Sequence, residues 1–259
     1  MYKKITHQIV EEHFASPNQL IGTEIPTPQP IIPKPHPNGT LYDTEPSYYE
    51  YIIEDGSLGL NDELPQYVLN EDTMLFRMNC RTAWTKWAYS LMNYAISLNA
   101  DLPGTEQVKG RMHKNAIAIG DMLVPYYGPT SAKLLGTSLI AIDDVGMRYV
   151  EALKKKESTD DIVASWAPLV DDFANVLNEL NPNNWPVSLI TDIMLALVQA
   201  WQDQLTARAN EDITADEIAI DTISKLVATG IPDHGKGYDS LSDIFSRGII
   251  AQFPSKFQE

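Results

Sequence analysis

Nine prolines fall between residues 17 and 65, at positions 17, 26, 28, 30, 33, 35, 37, 46 and 65. Each removes a backbone donor and fixes φ, so helices and central strands are excluded from this stretch. The sequence therefore divides at about residue 70 into a segment that must be extended or irregular and a remainder free to be helical. A short amphipathic pattern, MYKKITHQIVEEHF, precedes the prolines and predicts a helix over 1–15. The proline-rich segment 16–69 is richer than a solvated tether needs. It spaces Ile31, Ile32, Tyr48, Tyr49, Tyr51 and Ile52 among its prolines, whereas disordered segments are poor in aromatic and β-branched residues. We read it as an arm whose apolar side chains lie on its own bundle or on a neighbouring subunit.

From residue 70 to 259 apolar residues recur at helical spacing. Trp84, Trp87, Ala88, Leu91, Ala95 and Leu98 share one face, and Asp101-Leu102-Pro103-Gly104 stops that helix. A second helix runs to PYYGP at 125–129. Leu135, Leu139, Ile142, Val145, Tyr149 and Leu153 mark a third, with Lys154-Lys155-Lys156 as cations facing its C-terminus. Ile162, Trp166, Val170, Phe173, Leu177 and Leu180 form a fourth, begun at Ser158-Thr159-Asp160-Asp161. Leu189, Ile193, Leu197, Trp201 and Leu205 form a fifth. Thr214-Ala215-Asp216-Glu217 offers a capping box for a sixth, and residues 238–252 make a seventh. Short turns between long helices favour antiparallel neighbours, so the expected fold is all-α: an up-and-down bundle of six to seven helices behind an extended arm.

Between the fourth and fifth helices stands NPNNWP, residues 181–186. Pro182 and Pro186 each bias the preceding residue away from helix and force a corner. A loop made only for solubility would not carry tryptophan, so Trp185 is expected to anchor this corner on the core, its indole N–H reaching a free helix-terminal carbonyl.

Chemistry-bearing patterns are sparse. A formal net charge of −16 argues against neutralising nucleic-acid phosphates. The single cysteine, Cys80, excludes an intrachain disulfide and a multi-cysteine metal site, and reads as a small buried hydrophobe. Glu-x-x-His pairs, His-Glu-x-x-His, Gly-x-Ser-x-Gly and phosphate-binding glycine loops do not occur, so neither a metal site nor a cofactor is implied. Of the pairs Asp143-Asp144 and Asp171-Asp172, one member of each is expected to face water, since neighbours on a helix diverge by about 100°. The N-terminus lacks the apolar core of a standard signal peptide, and no run is long enough to span a membrane; a cytoplasmic or virion location is expected.

The stretches NAIAIGDMLVPYYG, NPNNWP and GIIAQFPSKF, in this order, resemble a family of small, functionally uncharacterised bacterial helical-bundle proteins over about residues 75–256. The resemblance implies the bundle fold and supplies no activity. It also implies that Asn115, Gly120 and Asp243 are retained, that 229–237 is an insertion, and that Arg81, Ala116, Ala118, Ser138 and Ala196 replace polar or histidine residues of the inner helix faces.

Two functions follow as expectations. One is a non-enzymatic structural or interaction protein of a larger assembly such as a virion, with the arm as connector and protein subunits as partners. The alternative is a cytoplasmic bundle that binds a small ligand or metal ion, an enzyme in its strongest form, with Arg81, Asn115, Asp144 and Asp243 as convergent polar groups from different helices.

Overall fold

The computed structural model describes residues 70–230 and 239–258. The expected helix over 1–15, the arm with its isoleucines and tyrosines, and the start of the last helix at 238 lie outside the described residues. Within them the protein is an all-α, up-and-down bundle, with no strand. Its helices are α1 (Glu71–Ala88), α2 (Ser90–Asn99), α3 (Thr105–Asp121), α4 (Val124–Lys155), α5 (Asp160–Ala164), α6 (Trp166–Leu180), α7 (Val187–Ala209), α8 (Ile213–Ser224) and α9 (Leu241–Gln252). A π-helical turn, Lys225–Thr229, continues α8, and a 3-10 turn, Pro254–Phe257, follows α9.

Among the described residues nine helical segments build the expected bundle of six to seven helices, because two of those helices are each broken in two. At Tyr89 the Ser90 hydroxyl bonds back to the Lys86 carbonyl at 2.6 Å, and the Asn115 amide donates to that same carbonyl at 3.1 Å. Side chains inserted into the helical ladder in this way separate α1 from α2. At Ser165 the break between α5 and α6 has a different cause. Pro168 cannot donate to the Ala164 carbonyl and its ring crowds that group, while the Ser165 hydroxyl bonds to the Ile162 carbonyl at 2.7 Å.

Other boundaries also moved. PYYGP does not end a helix; it opens α4, which kinks at Gly128, where φ is +81° and ψ 172°. Only glycine takes that conformation without strain. The expected capping box at Thr214 is replaced by Asp212, whose side chain accepts from the Ala215 N–H at 3.0 Å. Asp216, assigned to that box, is buried and paired with Arg208 at 2.9 Å. Leu189 faces solvent, and Ile190 takes its place in the buried stripe of α7.

Consecutive helices pack as neighbours: α2 on α3, α3 on α4, α4 on α6, α6 on α7 and α7 on α8, while α1 packs on α9 and closes the bundle. The α3–α4 crossing is tight because Gly120 meets Ala132 and Gly136; a Cβ at Gly120 would lie 2.3 Å from the Ala132 carbonyl oxygen. All five tryptophans are at most 1% exposed. Trp84, Trp87 and Trp201 meet edge to face in the centre, joined by Phe173 and Phe245.

Candidate functional site

The three motifs singled out in the sequence meet at one end of the bundle. Trp185 stacks on Phe245, ring centroids 5.5 Å apart at 10°, and Tyr127 lies between Trp185 and Phe253. Tyr126 packs on Phe253 and stacks on Phe257. Lys256 closes the cluster by donating to the Pro125 carbonyl at 2.8 Å. Burial pushes the hydroxyls of Tyr126 and Tyr127 up to about 12, so both stay neutral. The corner is held at the backbone too. Asn181 donates to the Gly248 carbonyl at 2.8 Å, and Asn178 to the Trp185 carbonyl at 2.9 Å. Pro182 follows Asn181, the C-cap of α6, whose φ of −153° and ψ of 69° leave the helical region, and Pro186 is the N-cap of α7. The Trp185 indole donates at 3.0 Å to Ile244, a carbonyl inside α9 and not a helix-terminal one. Gly248 presents no side chain there, so the ring can reach the α9 backbone.

The four polar residues expected to converge fall into three groupings. Arg81 and Asp243 form a pair at 2.9 Å, joined by Arg77 at 3.0 Å. The Ser240 hydroxyl adds a bond to the same carboxylate at 2.8 Å and caps α9 by accepting from the Asp243 N–H. Burial acts to raise the Asp243 pKa, but Ser240 and the two guanidiniums outweigh it and hold the carboxyl below the ordinary aspartate range. Asp144 is exposed and bonds to His113 at 3.0 Å. Asn115 belongs to a cleft described below. Of the five positions that the resemblance puts on inner helix faces, Ala116 is buried, but Arg81, Ala118 and Ala196 face solvent and Ser138 is half-buried. Ala118 follows Ala116 by two residues, which is about 200° around the helix.

Asp143 is the unexpected polar group of the core. It is 2% exposed and sits one position after Ile142 and four after Leu139, inside the apolar stripe. Its Oδ2 has no hydrogen-bond partner, and neither do the indole nitrogens of Trp84 and Trp87. Burial drives the Asp143 carboxyl well above the usual range; the Trp87 indole N–H beside it, outside hydrogen-bond geometry, opposes this, and the nearby Asp144 charge adds to it. Burial thus favours the protonated, neutral form of the Asp143 carboxyl. Its neighbour Asp144 faces water, as expected for one of the pair, whereas Asp171 and Asp172 are both exposed. Cys80 is fully buried, and burial, then the Asp243 charge, pushes its thiol far above the usual value.

A cleft of about 650 Å³ opens between the α1–α2 break and α3. Lys86, Ser90 and Asn93 line one wall; Gln107, Arg111 and Asn115, spaced by four on one face of α3, line the other. Asn115 fixes the floor by donating to the Lys86 carbonyl and, at 2.7 Å, to the Ser90 hydroxyl. Arg111 and Lys86 went unnoticed in the sequence, where the spacing of 107, 111 and 115 was the available signal. Among the described residues no group of three or more His, Cys, Asp and Glu could hold a metal ion, and no helix is long and apolar enough to cross a membrane. No family model, curated protein or solved structure matches the chain.

Proposed function

We propose that this chain is a structural or interaction protein of a larger assembly such as a virion, in which the bundle is the block and segment 16–69 the connector. One observation carries the reading. At the start of α1, directly after that segment in the chain, Met74, Leu75 and Met78 are 50%, 55% and 60% exposed. They form an outward apolar face opposite the buried Cys80, Trp84 and Trp87. Methionine adapts to irregular partners, and burying the half of each side chain still exposed stabilises a contact by roughly 1 kcal/mol each. The matching surface in our reading is Tyr48, Tyr49, Tyr51 and Ile52 of a neighbouring copy.

The test is a full chain carrying Leu75→Asp and Met78→Asp, beside a chain lacking residues 1–69. Both are expected to keep the helical circular dichroism and the melting temperature, because the altered side chains are exposed and the described residues from 70 onward bury a core of their own. Both are expected to lose self-association in sedimentation velocity. Normal association of either chain would overturn the proposal.

A further inference from the structure

We infer that the cleft between the α1–α2 break and α3 binds a small organic oxyanion, a hydroxyl-bearing phosphate monoester or carboxylate, through Arg111 and Lys86. The arginines of the described residues are 77, 81, 111, 148, 208 and 247. Arg77 and Arg81 pair with Asp243, Arg208 with Asp216, Arg247 with Asp239, and Arg148 donates to Ser165. Arg111 alone makes no side-chain hydrogen bond or ion pair among the described residues. In a chain with 35 acidic against 19 basic residues, that is an unusual position for a guanidinium, and no Asp or Glu lines the cleft it borders.

The lining chemistry suits an anion. Lys86 supplies a second cation from the opposite wall, and two like charges facing one cleft favour a counter-charge between them. Arginine presents a planar fork of donors that matches carboxylate and phosphate oxygens. Asn115 commits its amide nitrogen to Lys86 and Ser90, which leaves its carbonyl oxygen as an acceptor. That oxygen would repel a bare anion and would receive a hydroxyl carried beside the charge, hence the hydroxylated ligand. The volume lies within the range of small-molecule sites.

The experiment is a thermal-shift titration of the full chain with glycerol 3-phosphate and with glycerate, against potassium chloride at matched ionic strength. A saturable rise in melting temperature with one of the two, absent with chloride, is expected and tells phosphate from carboxylate. Arg111→Gln and Lys86→Gln should each weaken the response by about tenfold, and Arg111→Lys should retain part of it. These side chains are exposed, so the melting temperatures of the variants in chloride should match the parent. A response no larger than that to chloride for both ligands, or an undiminished response of Arg111→Gln, would overturn the proposal.

Discussion

A methyl group on Gly248 would lie 2.2 Å from the indole nitrogen of Trp185. The ring occupies the space a side chain would take, and from there donates to the Ile244 carbonyl. Trp185→Ala is expected to cost about 3–5 kcal/mol, the range for emptying a large buried aromatic site. Gly248→Ala should cost about 1–3 kcal/mol by overpacking. The double variant should lose little more than Trp185→Ala, because the methyl then has room. Urea unfolding of the three chains checks this; additive losses would show that the two residues do not share the space.

Asp243 should contribute stability mainly above the acid range. Its native pKa lies below the unfolded value of about 3.9. The contribution is therefore full above about pH 4 and is lost as pH falls through the native pKa. Asp243→Asn is expected to cost about 2 kcal/mol at pH 7 through weakened charge-assisted hydrogen bonds. The difference from the parent should shrink below about pH 4; a pH-independent difference would contradict the arginine clamp.

Asp143 should behave in the opposite sense. Its native pKa is raised, so above about pH 4 the unfolded chain releases a proton that the native protein keeps. Stability contributed by this residue falls as pH rises from there toward the native pKa. Asp143→Asn removes the dependence, so the variant should gain on the parent in thermal melts as pH rises above about pH 4. An advantage that grows toward acid would refute the neutral, buried carboxyl.

Cys80 should be inert in the native state. With the thiol buried and its pKa raised, an aromatic disulfide reagent at pH 8 should label none of it on a time scale of minutes and all of it in denaturant. Prompt native labelling would mean that α1 opens locally.

The bundle was legible in the sequence because its signals are local. The period of Leu135, Leu139 and Ile142, or the prolines flanking Trp185, act within a few residues of where they are read. The helix breaks at Tyr89 and Ser165 were harder to see. The first depends on Asn115, which reaches the Lys86 carbonyl from another helix, and no window along the chain contains both. The polar groups failed as a single site for the same reason. Arg81 and Asp243 meet across 162 positions, while Asn115 and Asp144 find other partners. Asp143 could have been picked over Asp144 as the inward member of its pair from its place in the stripe, one position after Ile142 and four after Leu139.

The most direct measurement of the assembly reading is the sedimentation of the protein in an extract of its native source, followed with an antibody to the bundle. A fast-sedimenting particle that retains the chain at physiological salt is expected, with release of the bundle when the segment before residue 70 is cut by limited proteolysis. Sedimentation of the intact chain as a free 28.9 kDa monomer would contradict it.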